Sequence, residues 1–522
     1  MKTATILTTA LLLTATSLQA PAYPPYAEHG SVGDASSSSS STSSAGAGSE
    51  QTIEEAIEEN TPAGAESPFD AHPDGINTSV CNFHGTRSPT SSTYAAFETS
   101  LVGPRGNGGR SIQNQVEYHQ VGGASIVIIE GGAIAEHHWY GCADRAAAQR
   151  TTSSTIYQAA SLSKFVSAIG LVKADRLGVV DLNRNMRSYA TEYPDSLLAE
   201  WVDAKFHGSY AGNPHDITLR RLLNHTAGLD THGINSWAPG HVPTLRDILM
   251  GSNHFGGSFV GGVEPIAFPK TRYEYSGGGY IVAEHVLELN SPVSFKDYLQ
   301  QQVLYPAGMS LSTFDKAQAS MSNLARPFSR SIANSTILQS NVKAAGGLLA
   351  NAREYAELVT ALVNGGYTAS GHQMMVQSDI DTILTPVASS GSSFDPCYEP
   401  GATRRIDQGQ TTIRDTGIVI DVPPVIETCV AGKFRELMPD GDDWYGLGVS
   451  LSTHVEADGY PRMVEHGGAQ TGSRSYFKID RRTGDGVVVM INGDEEWIDG
   501  DGYTFGSAVL LDEIKAAYNA TY

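Results

Sequence analysis

Two runs of strand-forming residues at opposite ends of this chain constrain its fold more than any other feature. Ala124-Ser-Ile-Val-Ile-Ile-Glu130 closes on Gly131-Gly132, a strand followed by a hairpin turn, and Ile134 to Tyr140 reads as the returning partner. Far along the chain, Arg474 to Asp480 and Gly486-Val-Val-Val-Met-Ile-Asn492 read as further strands, and Ala508 to Tyr518 as a closing helix. The text between them is mostly helical. Strands at both ends around helical text predict an α/β (α+β) fold: one antiparallel sheet built from N- and C-terminal segments, flanked by helices, with an inserted helical subdomain.

With 522 residues there is room for a large catalytic domain and an extension. Residues 1–20 have a signal peptide's features: Lys2, a short apolar stretch from Ala4 to Leu13, and small residues offering cleavage after Ala20 or Ala22. Residues 21–110 form an extension, low in complexity from Gly30 to about Glu66 and turn-rich from about Asp70 to Gly109. The globular domain is expected over 111–522. A turn-rich segment at about 370–443 reads as an insertion or long loop region.

A formal net charge of -22 argues against nucleic acid and against an anionic membrane surface as partners. Four cysteines, Cys81, Cys142, Cys397 and Cys429, include no CxxC pair, which argues against zinc. Three disulfide pairings are possible, and the local ones, Cys81 with Cys142 and Cys397 with Cys429, are favoured. Asn77, Asn334 and Asn519 lie in glycosylation sequons, as export would suit. Asn224 also heads one, within an apolar helical stretch where a glycan is not expected.

Ser161-Leu-Ser-Lys164 opens a helical pattern running to Leu177, with Phe165, Ala168, Ile169 and Val172 at helical spacing. Residues three apart share a helix face, so Lys164 is presented to the Ser161 hydroxyl. A helix N-terminus favours negative charge developing at that serine, and a desolvated lysine can accept or relay its proton. Read alone, this short pattern is on most helices an N-cap serine and a solvated lysine. A second element, Tyr275-Ser-Gly277, sits before a glycine-rich entry to a helix expected from Tyr280 to Leu289; a tyrosine beside a lysine can act as general base. The third, His466-Gly-Gly468-Ala469, precedes a strand, and the N–H groups of Ala469 and Ser161 could together form an oxyanion hole.

In that order, Ser161-x-x-Lys164, Tyr275-x-Gly277 and His466-x-Gly468 resemble the motifs of the serine β-lactamase and penicillin-binding-protein superfamily. The similarity is greatest to its branch of class C β-lactamases, D-aminopeptidases and β-lactamase-like esterases. Leu219-Arg-Arg-Leu-Leu-Asn-His-Thr-Ala-Gly-Leu229, Ala345-Gly-Gly-Leu-Leu349 and Tyr445-Gly-Leu-Gly448 resemble flanking stretches of the same enzymes. The resemblance spans roughly Ile112 to Tyr518. It implies a β-lactamase/transpeptidase-like fold, Ser161 as nucleophile, Lys164 and Tyr275 as its proton shuttle, His466, Gly468, Ala469 and Gly277 around the substrate, and no cofactor or metal. The chain departs from the pattern where Gly277 replaces the asparagine of many relatives and His466 the lysine of β-lactamases. Those departures favour ester cleavage over β-lactam hydrolysis. A D-aminopeptidase or carboxypeptidase-like activity on small peptides, an acyltransferase, and a non-catalytic ligand-binding relative are the alternatives. Retention of serine, lysine and tyrosine together argues against the last. The expected product is therefore a secreted serine hydrolase acting on a small ester, amide or peptide.

Overall fold

The turn at Gly131-Gly132 explains why the first two strands pair as they do. Both glycines have positive φ, 56° and 76°, the conformation that a two-residue hairpin loop demands. They join β2 (Gly123–Glu130) to β3 (Ala133–Asp144), with Glu130 opposite Ala133. In this computed structural model the described residues lie within 81–522, excluding 88, 103–110, 207–215, 234–241, 256–257, 270–272, 316–321, 328–340, 389–402, 407–409, 413–418, 422–424, 429–443, 453, 455, 457–458, 494–495 and 499–503. Both expected signal and low-complexity segments, Cys397, Cys429, Asn77 and Asn334 lie outside the described residues.

The central sheet takes in β1 (His84–Thr86), β4 (Val387–Ala388), β5 (Trp444–Tyr445), β6 (Ser450–Leu451), β7 (Met463–Gln470), β8 (Ser473–Asp480) and β9 (Gly486–Ile491). Its order is β1-β3-β2-β9-β8-β7-β6-β5-β4, and every neighbouring pair is antiparallel. The two ends of the chain meet in its middle, where Val488 of β9 opposes Val127 of β2.

Both faces of the sheet are covered, which is why its central strands read as unbroken apolar runs. Val127, Ile129, Val488 and Met490 pack on one side with the main core, which includes α3 (Ser163–Arg176), α4 (Leu219–Leu223), α5 (Gly277–Asn290) and α6 (Ala352–Thr360). Ile126, Ile128, Val487 and Val489 face a second core built with α1 (Ser92–Glu98), α2 (Ile112–Tyr118) and α7 (Ser507–Thr521). Cys81 is bonded to Cys142, tying the segment before β1 to β3.

Several boundaries differ from the sequence expectation. The helix expected from Tyr280 begins at Gly277, because Ser276 caps it: its Oγ accepts from the Gly279 N–H at 3.0 Å. His225, directly after the Asn224 cap of α4, is left-handed with φ 62°, and Gly228, three residues on, has φ 71°. From the segment read as an insertion, helix Gln377–Leu384 buries Ile380, Ile383 and Leu384 in the main core, and β4 forms the sheet edge. Its remaining described strands pair as Thr403–Ile406 with Val425–Thr428 and Gln410–Thr412 with Val419–Asp421. Asn519 is exposed near the end of α7, whereas Asn224 is buried with its Oδ1 accepting the Thr226 hydroxyl. Among the described residues no helix is long and apolar enough to cross a membrane.

Candidate active site

Ser161 stands at a tight change of direction. A short strand, Ile156–Gln158, pairs with Leu349–Asn351 and runs into a single 3-10 turn, Ala160–Leu162, before α3 begins. Ala160 has φ 47°, a left-handed conformation that costs a non-glycine residue roughly 1 kcal/mol or more. Serines on neighbouring elements hold the turn. Ser473 and Ser475 of β8 donate to the carbonyls of Gln158 and Ala159 at 2.6 and 2.7 Å, and Ser163 donates to Ala160 O at 2.6 Å. None of these three was singled out from the sequence. Scattered serines on a strand have no motif, and only the pairing of β8 with β7 brings them under the turn.

Lys164 is 2% exposed and lies one turn beyond Ser161. Its Nζ donates to Ser161 Oγ at 3.2 Å and to Ala345 O at 2.8 Å. The same ammonium sits 4.9 Å from the centre of the Tyr275 ring and 5.6 Å from that of Tyr280. The 343–348 segment that offers the Ala345 carbonyl is fixed from two sides. Glu284 of α5, fully buried, accepts the N–H groups of Lys343 and Ala344, each at 2.8 Å. Ser167 donates to Ala344 O at 2.9 Å, and Ser163 Oγ accepts the Leu348 N–H at 3.0 Å.

Gly468 brings β7 against the Ser161 turn. A Cβ there would sit 2.7 Å from Ala159 O, 3.2 Å from Ser161 N and 2.2 Å from Ser475 Oγ, so only glycine fits without displacement. Met463 O accepts from Ser452 on the β6 side of the strand. Peptide groups alternate edges every second residue, and the β7–β8 register runs unbroken to Gln470. Ala469 therefore shares the edge of Met463, and its N–H points away from β8, past β6, whose register partners in β7 are Val464 and Glu465.

His466 is 4% exposed. Its Nδ1 donates to Gly467 O at 2.6 Å, which leaves Nε2 to accept the Tyr445 hydroxyl at 2.8 Å. Burial, with the Lys164 ammonium adding to it, brings its pKa down to about 3, so the ring is neutral at ordinary pH. Burial likewise raises the Tyr445 hydroxyl well above the usual tyrosine value. His466 thus brings no positive charge to receive a substrate carboxylate. The Arg474 guanidinium donates to the carbonyls of Gln470 and Ser473, at 3.3 and 3.1 Å.

These side chains open on a cavity of about 860 Å³. Ser161, Lys164, Tyr275, Gly277, His466, Gly468 and Ala469, the seven residues expected from the sequence, all line it, joined by Tyr273, His232, Tyr445 and Arg474. Among the described residues no group of three or more His, Cys, Asp or Glu is arranged to hold a metal. A serine hydroxyl beside a buried lysine, with the Ala469 N–H at a neighbouring strand edge, is suited to acyl transfer.

An antiparallel sheet covered by helices on both faces, with such a pocket at a strand edge, defines an acyl-transferring serine-hydrolase architecture. Residues 110–402, more than half of the chain, match the family described as beta-lactamase, and the chain belongs to that family of serine hydrolases. The match ends before the strand that carries His466.

Among curated relatives, penicillin-binding protein 4* of Bacillus subtilis (strain 168) is 26% identical over 199 residues, 37% of this chain and 38% of the relative. Unguisins hydrolase ungD' of Aspergillus campestris is 24% identical over 301 residues, 53% of this chain and 52% of the relative. The chain thus spans about half or less of these relatives' length. The fold is similar to that of D-amino acid amidase from Ochrobactrum anthropi SV3 complexed with D-phenylalanine, with TM-score 0.51 and 16% identity over 83% of this chain and 100% of that one. It is also similar to a class C beta lactamase from Rhodobacter sphaeroides, with TM-score 0.50 and 16% identity over 83% of this chain and 99% of that one.

Proposed function

We propose that this chain is an exported serine hydrolase that cleaves a small ester, and less readily an amide, through a covalent acyl intermediate on Ser161. The observation that carries the reading is the 3.2 Å contact between Ser161 Oγ and the buried Lys164 Nζ. The Ser161 oxygen attacks the substrate carbonyl carbon while its proton passes to the Lys164–Tyr275 pair, which reacts with one proton missing, as Lys164 amine beside Tyr275 phenol or Lys164 ammonium beside Tyr275 phenolate. The N–H groups of Ser161 and Ala469 receive the oxyanion. The carbonyl–leaving-group bond then breaks, and the departing alkoxide takes the proton. Water follows: the same pair accepts its proton, hydroxide adds to the acyl carbon, and the free acid leaves as Ser161 is reprotonated.

Two features favour esters. Gly277 brings no side-chain amide to hold an amide substrate, and His466 is neutral where a fixed positive charge would receive a carboxylate. Alkoxide leaving groups also need less protonation than amines. The name of the unguisins hydrolase relative supports hydrolysis as the overall reaction. Export is supported by the sequence of residues 1–20, and sequencing the N-terminus of protein recovered from culture medium would test it.

The chemistry is tested by intact-mass spectrometry after incubation with a fluorophosphonate, a short-chain p-nitrophenyl ester and a β-lactam, wild type beside Ser161→Ala. The expected result is an adduct on wild type alone, formed faster from ester than from lactam. Absence of any adduct on folded wild-type protein would refute the mechanism, and faster acylation by the lactam would refute the ester preference.

A further inference from the structure

One residue grips the chain on both sides of Tyr275. The carbonyl of His225 accepts the Glu274 N–H at 2.8 Å, and its Nδ1 accepts the Ser276 N–H at 3.0 Å. Its ring is 1% exposed and packs 4.3 Å, centre to centre, from the ring of Tyr275 and 4.8 Å from that of Tyr445.

This grip is bought with an unfavourable backbone. His225 follows α4 with φ 62°, and the Thr226 N–H closes back to Arg221 O at 3.0 Å. Helices that end in this way ordinarily place glycine there, because a Cβ is strained in the left-handed region. Helix termination therefore gives no reason for a histidine. Among the described residues Nε2 is buried without a hydrogen-bond partner. With Nδ1 accepting, the neutral ring carries its hydrogen on Nε2. Burial, and then the nearby Lys164 charge, hold its pKa well below the ordinary histidine value, which keeps Nδ1 available as an acceptor.

We infer that His225 is a positioning residue for Tyr275, fixing the height of its phenol over Lys164 through the paired bonds to Glu274 and Ser276. The inference rests on the reading that Tyr275 shares the Ser161 proton with Lys164.

The test measures p-nitrophenyl acetate turnover per site titrated with fluorophosphonate, for wild type, Tyr275→Phe, His225→Gly and His225→Asn. Glycine relieves the left-handed backbone and keeps the carbonyl bond but leaves a cavity and an unmet Ser276 N–H, so His225→Gly is expected to fold with a lower melting temperature, and turnover is compared per titrated site well below it. Its kcat should fall by about 10²-fold, the effect of misplacing a catalytic group by roughly 1 Å, at little change in KM. Asparagine tolerates left-handed φ and puts an amide oxygen where Nδ1 stands, so His225→Asn should recover most of the loss. Wild-type kcat in His225→Gly beside an impaired Tyr275→Phe would overturn this inference alone. An unimpaired Tyr275→Phe would remove the reading beneath it as well. An asparagine variant no better than glycine would overturn the Ser276 hydrogen bond as the cause.

Discussion

Gly467 and Gly468 are neighbours on β7, yet alanine at the two positions should have opposite consequences. A Cβ on Gly467 meets nothing within 4 Å, whereas on Gly468 it would stand 2.7 Å from Ala159 O and 2.2 Å from Ser475 Oγ. Contact with a backbone oxygen becomes ordinary only near 3.4 Å, so β7 and the Ser161 turn must part by roughly 0.7 Å. The serine hydroxyl can rotate aside, but it then loses its bond to Ala159 O. Overpacking of this kind costs about 1–3 kcal/mol. An oxyanion donor must lie about 2.7–3.1 Å from its oxygen, so this displacement effectively removes Ala469 and should lower kcat by about 10²–10³-fold. Gly467→Ala should change stability by less than about 0.5 kcal/mol. The assay is ester turnover per fluorophosphonate-titrated site, with urea unfolding of the same samples. Wild-type turnover and stability in Gly468→Ala would refute the close packing of β7 on the Ser161 turn, and equal losses at both positions would refute its localisation to Gly468.

Three further outcomes are expected. Lys164→Met, which keeps an apolar stem of similar length, should lower the rate of Ser161 acylation by about 10²–10⁴-fold while the protein still folds, as read by stopped-flow labelling and circular dichroism. Glu284→Ala should leave the buried N–H groups of Lys343 and Ala344 unmet, at about 1–3 kcal/mol each, and loosen the Ala345 carbonyl on Lys164; Glu284→Gln, which keeps an acceptor, should restore most of both stability and turnover. The folded pKa of His466 is depressed to about 3 from 6.5, so only the unfolded state takes up this proton between those values. The stabilisation of wild type relative to His466→Gln should accordingly be full above pH 6.5 and fall by about 1.4 kcal/mol per unit as pH drops below it, measured by urea unfolding of both proteins at several pH values.

The sheet was legible because its central strands are buried on both faces and therefore continuous in sequence, as Ile126–Ile129 and Val487–Met490 show. β4, β5 and β6 were not, since two-residue strands carry no period and owe their pairing to their neighbours. Ser161 and Lys164 could be paired because helical spacing is local. Their link to Tyr275 and His466 rested on motif order, since residues so distant in sequence have no spacing to read. His225 sits just past the end of α4, and its grip on Tyr275 left no signal in the sequence. The usual rule looks for glycine where a helix ends, and Gly228 lay three residues on. Glu284 left no signal either, being one of two carboxylates on α5, and its partners, two backbone N–H groups and the Lys343 ammonium, lie about 60 residues on.

The meeting of β2 and β9 at the centre of the sheet also sets the order of events as the protein is made. Val127 and Val488 are register partners about 360 residues apart, and closing so long a loop costs about 5 kcal/mol of chain entropy. When a ribosome has finished Ser161 and Lys164, β7 with Gly468 and Ala469 does not yet exist, and neither does β8, whose serines hold the nucleophile's turn. On the proposed mechanism, a nascent chain therefore carries its nucleophile long before it carries the means to use it. On the same mechanism, hydrolytic competence arrives only with the last strands, and an interrupted translation product is expected to be inert.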